Sequence, residues 1–232
     1  MNRTAILANA NSGNAGAQRN LEHWHSFLVS PLGGAWLDKK EVHVLSNPSK
    51  ADMQTQLRSA AADGYVIVVF LGHGEFRKDL LGFPEVFLSL HGSDAISERE
   101  LNPRSDRCSI IVDLGQNEST IKSIAMQPTD FDEIRLSRAR ELFDSEVTRA
   151  EKGCVKVYAA NLNRETQHNH SFSATLIEQS IEWAQRHHGT LDLHQAISQT
   201  TEIFERKTLL QGPRYQGGRR LHHFPFAVKP KD

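Results

Sequence analysis

A histidine between two glycines is the feature of this 232-residue chain with the clearest capacity for chemistry. His73 follows the most continuous apolar run of the sequence, residues 65–71, and is flanked by Gly72 and Gly74. An imidazole exchanges a proton near neutral pH, whereas a histidine between glycines at a strand end contributes little to packing. We therefore predict that His73 belongs to a functional site, and that its glycines let the backbone turn sharply. The alternative is a histidine that merely satisfies a turn.

Asp113 ends a second apolar run, residues 108–112, and is followed by Leu114 and Gly115. Apolar runs without alternation are typical of strands buried on both faces of a parallel sheet. Such sheets bind ligands beyond the carboxyl ends of their strands, above all at the switch point where the strand order reverses. We therefore expect both strand ends at the switch point, on adjacent parallel strands. The His73 imidazole should then lie within about 4–8 Å of the Gly115 Cα atom.

Strand and helix periodicities alternate along the chain, which predicts an α/β fold: a three-layer α/β/α sandwich with a mainly parallel central sheet. One helix follows an Asn-rich loop, and another begins after Ser49, which can form a capping box with Asp52. We predict strands at 4–8, 41–45, 65–71, 108–112, 155–160 and 223–228. We predict helices within 17–28, 49–61, 131–147, 172–184 and 193–204, and a short helical turn at 96–101.

Charge and hydropathy exclude several classes of function. The 27 Lys and Arg residues nearly balance the 28 Asp and Glu residues, so no field attracts nucleic acid or an anionic membrane. No apolar run approaches the ~18–20 residues of a membrane span, and we find no signal peptide. Cys108 and Cys154 are too few for a disulfide framework and each begins an apolar strand, so we expect a reducing, cytoplasmic compartment. The length suits a single domain over 1–232.

The order of these features resembles the caspase/metacaspase group of cysteine peptidases, of the prokaryotic type. A strand-end Gly-His-Gly precedes a strand-end Asp, at His73 and Asp113. Further similar stretches are 96–103 before the nucleophile strand, 158–161 with 171–176, and 211–213 with 217–218 and 224–226. The resemblance covers nearly the whole chain and implies a caspase-like fold.

The resemblance also implies roles for individual residues. His73 matches the general base, the backbone N–H of Gly74 the oxyanion donor, and the position two residues after Asp113 the nucleophilic cysteine. That position is Gly115, which has no side chain to attack a carbonyl. Asp113 itself resembles the acid that holds a basic substrate side chain in metacaspases. The alternative for Asp113 is a solvated strand-end carboxylate.

No other residue is an obvious substitute for the nucleophile. Cys108 lies at the opposite end of its strand, roughly 20 Å away at ~3.3 Å per residue. Ser119 or Thr120 would need a rearranged loop to approach His73. The glycine is either a natural loss, which we favour, or an engineered inactivation.

The resemblance divides the domain into a nucleophile-and-histidine part at 1–115, a linker at 116–152 and a C-terminal part at 153–232. Active relatives cut this linker, and an ordinary surface insertion is the alternative. Three arginines could receive an acidic side chain or a phosphate, or form a solvated hairpin: Arg214, Arg219 and Arg220. The paired histidines fit no strong ligand motif, so we expect no metal and no cofactor.

The leading hypothesis is a caspase-like protein whose peptidase site is degenerate, and which acts as a regulatory or binding partner of a protein or peptide, such as an active relative. The first alternative is an active caspase-like cysteine endopeptidase whose nucleophile is substituted in this sequence. The second is a receptor for a small anionic ligand at the strand ends, with His73 and the arginines as contacts. We expect no nucleic-acid or membrane partner, and the oligomeric state stays open.

Overall fold

The computed structural model describes residues 1–11, 13–78, 84–114, 132–159, 172–206 and 213–231. Its strands are β1 (Arg3–Asn9), β2 (Val42–Ser46), β3 (Tyr65–Gly72), β4 (Gly74–Lys78), β5 (Pro84–Ser89), β6 (Ala95–Ser97), β7 (Arg107–Leu114), β8 (Gly153–Tyr158), β9 (Gly189–Asp192), β10 (Arg214–Gln216) and β11 (Pro225–Lys229). Its α-helices are α1 (Ala15–Val29), α2 (Lys50–Ser59), α3 (Glu133–Arg149), α4 (Phe172–Arg186) and α5 (Leu193–Arg206).

A six-stranded sheet forms the centre of the fold, in the order β10-β8-β7-β3-β1-β2. Its strands are parallel except β10, which runs antiparallel to β8 at one edge. From β1 the chain moves outward to β2, crosses back to β3 and then continues through β7 and β8. The switch point therefore lies between β1 and β3, so His73 borders it, whereas Asp113 ends the next strand along.

Both faces of the central strands are buried, because alternate residues of each strand enter two separate cores. In β3, Val69 and Leu71 pack with residues of α1, α3, α4 and α5, whereas Val68 and Phe70 pack with residues of α2 and β5. This arrangement explains the apolar run without alternation and confirms the predicted α/β architecture with a mainly parallel sheet. Within the described residues, no helix is both long and apolar enough to cross a membrane.

Three short strands after His73 form a separate antiparallel sheet in the order β4-β5-β6. The sequence predicted only a helical turn at 96–101, and the structure divides this stretch between β6 and a 3₁₀ turn at Glu98–Leu101. These strands escaped prediction because none of them carries the long apolar run that identified β3 and β7. Pairing with neighbours, rather than a long apolar period, holds such strands together.

The two cysteines form a disulfide, which corrects the expectation drawn from their number. Cys108 on β7 and Cys154 on β8 are register partners, with Cα atoms 4.6 Å apart. Two cysteines cannot build a framework, but one bond needs only two strands that bring them together. The argument for a reducing compartment therefore loses its support, and a cytoplasmic location stays a prediction.

Helix α3 packs on the body of the domain, although it falls within the predicted linker at 116–152. Phe143 of α3 is fully buried, and Arg140 forms an ion pair with Glu41, which precedes β2. The helix predicted at 131–147 is thus present with slightly different ends.

Candidate functional site

His73 is the single residue between the end of β3 and the start of β4. Its side chain is exposed at the carboxyl edge of the central sheet. Its backbone oxygen accepts a hydrogen bond from the Ser89 amide at 2.9 Å, which ties the residue to β5. On one side of β3 the edge continues to β1, and on the other side to β7. The position is therefore fixed by paired strands, while the imidazole remains accessible.

The side chain of Asn11, in the loop after β1, contacts this imidazole across the switch point. Asn11 Nδ2 lies 3.1 Å from His73 Nε2. The loop is itself organised by asparagines: Asn9 Oδ1 accepts the Asn11 amide at 2.9 Å, and the Asn14 side chain caps α1. With Nδ2 as the donor, Nε2 accepts and the ring proton resides on Nδ1. Sequence analysis missed Asn11, because the Asn-rich stretch indicated only a loop.

The glycines beside His73 permit a close approach of neighbouring groups. Neither Gly72 nor Gly74 has a positive φ, so neither position requires glycine for a left-handed backbone conformation. A Cβ atom on Gly72 would lie 2.9 Å from the Phe70 ring and 3.2 Å from Ala10. A Cβ atom on Gly74 would lie 3.1 Å from Leu114, Leu88 and the Phe87 backbone oxygen. An added side chain would therefore crowd its neighbours at both positions.

The strand ends that carry His73 and Gly115 belong to adjacent parallel strands. β3 and β7 pair in a register that sets Leu71 beside Asp113 and Gly72 beside Leu114. Gly115 lies outside the described residues, as do Ser119 and Thr120. The predicted distance between the imidazole and Gly115 therefore stays a prediction.

Asp113 is buried, so the alternative of a solvated carboxylate is wrong; only 4% of its surface is exposed. Its Oδ2 accepts hydrogen bonds from the Ser173 backbone amide at 3.1 Å and the Ser173 hydroxyl at 2.5 Å. Burial raises the pKa of Asp113 to about 6, against the lowering effect of these hydrogen bonds. A carboxylate at the first turn of a helix is favourably placed. Asp113 thus joins the end of β7 to the start of α4, and its predicted role in holding a substrate stays untested.

The three arginines do not form one group, because Arg220 lies at the edge of the sheet opposite His73; this corrects the contact expected of Arg220 in the anionic-ligand receptor. The Arg220 guanidinium donates to the backbone oxygens of Gly217, Glu151 and Lys152. Residues 151 and 152 precede β8, so this group lies at the amino edge of the sheet, opposite His73. Arg214 pairs with Tyr158 at the carboxyl edge and is exposed. One long-range strand pairing thus separates arginines that are close in sequence.

No three of the His, Cys, Asp and Glu side chains in the described ranges come together in a way that could hold a metal ion. The histidines there make individual contacts instead. His223 Nδ1 lies 2.8 Å from the Tyr215 hydroxyl, and His188 Nδ1 lies 3.2 Å from the Pro230 oxygen.

Comparisons with known proteins identify the fold. No family model matches the sequence, and no curated protein matches it either. Protein GSU0716 from Geobacter sulfurreducens is 13% identical with a TM-score of 0.55, covering 100% of this chain and 95% of that chain. Caspase-1 from Spodoptera frugiperda is 12% identical with a TM-score of 0.55, covering 100% and 92%.

The Drosophila initiator caspase Dronc is 10% identical with a TM-score of 0.54, covering 98% of this chain and 82% of that chain. Likeness at these identities defines the fold alone. The chain has a caspase-like fold, as its sequence motifs implied.

Proposed function

We propose that this protein is a caspase-like protein of the prokaryotic type whose peptidase site has lost its nucleophile, and which acts as a binding or regulatory partner of a protein or peptide. One observation carries the proposal: the chain has only two cysteines, and both are consumed by a single disulfide. A thiol–imidazole mechanism requires a free thiolate close to the histidine. Gly115 cannot supply one, and Cys108 lies near the start of the strand that Leu114 ends.

The residues present at the site can support binding of a peptide segment without catalysis. His73 remains exposed and contacts Asn11, and Gly74 is packed against Leu114, the residue before the nucleophile position. An oriented imidazole beside strand ends can donate to or accept from a peptide group without any bond being broken. A partner segment bound there would occupy the position that a substrate takes in an active peptidase. An active relative is one such partner.

The proposal is tested by activity and binding on the same preparation. Fluorogenic peptides ending in Arg, Lys or Asp should give no turnover above that of the His73→Ala variant, since removal of a nucleophile leaves only weak residual catalysis. The proposal would be overturned by two results together: turnover that disappears in His73→Ala, and labelling of the protein by a serine-reactive probe. These results would show that Ser119 or Thr120 acts as the nucleophile.

Binding is followed by NMR at the His73 Cε1–H. The same peptides should shift this resonance and leave that of His25 in place, because His25 pairs with Asp38, which precedes β2 at the amino edge of the sheet. If millimolar peptide moves neither resonance, the partner does not bind at this edge and the binding role fails.

An active cysteine endopeptidase remains the second candidate, supported by the retention of His73 and its neighbouring backbone. The sequence of the native gene decides between the two candidates. A cysteine codon at position 115 would identify the glycine as a substitution and would favour the active peptidase.

A further inference from the structure

The disulfide joins the amino-terminal ends of β7 and β8, away from His73, and takes no part in the partner binding proposed there. Cys108 and Cys154 occupy equivalent positions near the starts of two adjacent parallel strands, one on each side of the stretch 115–131. The bond therefore joins the part of the chain before Gly115 covalently to the part after it. Because the sheet already aligns the two residues at 4.6 Å between Cα atoms, the bond can open and close without a rearrangement of the backbone.

The two cysteines differ in exposure. Cys108 has no exposed surface, whereas Cys154 is partly exposed. In thiol–disulfide exchange a thiolate attacks one sulfur in line with the bond and the other sulfur leaves, so exposure decides which sulfur is attacked. Asn102 Oδ1 lies 3.9 Å from Cys108 Sγ and can accept a hydrogen bond from the Cys108 thiol once the disulfide has opened. The burial pattern therefore makes Cys154 the sulfur that is attacked and Cys108 the one that leaves.

Two lysines flank Cys154. Lys152 and Lys156 each lie two residues from it, and Lys156 projects from the same face of β8 because side chains alternate along a strand. Acidic residues partly balance them: Lys152 pairs with Asp106, and Lys156 lies 3.7 Å from Glu98. Positive charge near a sulfur favours an anionic attacking thiol and stabilises the thiolate that forms there.

We propose that the Cys108–Cys154 pair is a thiol-exchange site, at which an anionic low-molecular-weight thiol such as glutathione attacks Cys154. The incoming thiolate forms a mixed disulfide with Cys154 Sγ, the bond to Cys108 breaks, and Cys108 leaves as a thiolate that takes a proton. A second glutathione thiolate then releases glutathione disulfide and leaves Cys154 reduced. In sum, two glutathione thiols are oxidised to one disulfide while the protein disulfide is reduced to two thiols. The reverse sequence modifies Cys154 first.

The test begins with wild-type protein purified without reductant. It is treated under native conditions with a small excess of reduced glutathione, quenched with N-ethylmaleimide and mapped by peptide mass spectrometry. We expect glutathione on Cys154 and maleimide on Cys108. Glutathione on Cys108, or on both residues equally, would overturn the proposed order of attack. Two free thiols in the untreated protein would overturn the exchange site itself.

Single variants give a quantitative test. Cys108→Ser leaves Cys154, and Cys154→Ser leaves Cys108. Cys154 in the first variant should react with the anionic reagent 5,5′-dithiobis(2-nitrobenzoate) at least about tenfold faster than Cys108 in the second. With the neutral reagent 2,2′-dipyridyl disulfide the preference should be smaller, because charge attraction is absent. Equal rates for both cysteines would refute the proposal. If either variant fails to fold, adduct mapping on the wild-type protein decides the question.

Discussion

Asn11 and His73 are 62 residues apart in sequence, yet the Asn11 amide nitrogen lies 3.1 Å from the His73 Nε2 atom. The contact crosses the switch point between β1 and β3, where the sheet topology places ligand sites. An amide beside one ring nitrogen fixes the orientation of the ring and selects which nitrogen carries the proton. Asn11 is therefore a positioning residue for His73.

Replacement of this amide by a carboxylate should change how His73 titrates. In Asn11→Asp the imidazolium gains an opposite charge at close range, which should favour the protonated His73 ring relative to the parent. NMR titration of the histidine Cε1–H resonances measures the change. Asn47→Asp is the matched control, because Asn47 Nδ2 lies 2.6 Å from His91 Nδ1; it should move His91 alone. An unchanged His73 titration curve in Asn11→Asp would show that Asn11 does not position His73.

Restoring the nucleophile with Gly115→Cys should produce an activated thiol, because an imidazole beside a thiol favours the thiolate. We expect alkylation by iodoacetamide at pH 6–7 to be faster than for either native cysteine, since both are held in the disulfide. The double variant Gly115→Cys with His73→Ala should react more slowly at that pH. Equal rates in the two variants would show that positions 73 and 115 no longer form a pair.

The buried carboxyl of Asp113 should destabilise the fold as the pH rises. Burial raises the pKa of Asp113 to about 6, above the ~3.9 of an unfolded chain. The folded protein therefore binds an extra proton in this range, and stability is lost as the pH climbs from about 4 through about 6. Asp113→Asn removes this effect, so its free energy of unfolding relative to wild type should rise between pH 4 and 7 by on the order of 2 kcal/mol.

Urea unfolding at several pH values measures this difference. Asp106→Asn is the control: Asp106 is exposed, and its hydrogen bond with Lys152 lowers the pKa of the carboxyl. Because this pKa is lowered rather than raised, the control should lack the rise with pH that is expected of Asp113→Asn. A flat difference for Asp113→Asn as well would contradict a buried, proton-binding carboxyl.

Crowding around Gly74 predicts that alanine there destabilises the fold more than alanine at the open position Gly13. Gly74→Ala forces a Cβ atom to within 3.1 Å of two leucine side chains and a backbone oxygen that cannot move freely. We expect a loss of about 1–3 kcal/mol in unfolding free energy. Gly13→Ala, where nothing lies within 4 Å of the added atom, should be nearly neutral. Comparable stabilities of the two variants by thermal unfolding would mean that Gly74 is not crowded as described.

Local patterns in the sequence determined most of the α/β frame. The apolar run at 65–71, the capping box of Ser49 and Asp52, and the helical spacing after residue 131 each correspond to an element of the structure. Such signals are short-range, because burial imposes its period on neighbouring residues of one element. The sequence also determined that position 115 carries no nucleophile, since residue identity requires no coordinates. The short strands β4, β6, β9 and β10 lacked enough residues to show a period.

Only the tertiary structure decided which distant residues meet. The cysteine pairing depends on the register of β7 with β8, and the contact between Asn11 and His73 depends on the position of β1 beside β3. The hydrogen bonds from Ser173 to Asp113 likewise join residues 60 apart. Strand order and register are set by the burial of the whole sheet, and no local pattern encodes them. For this reason the sequence predicted where the strands end, whereas only the order and register of the strands in the sheet determine which side chains meet at those ends.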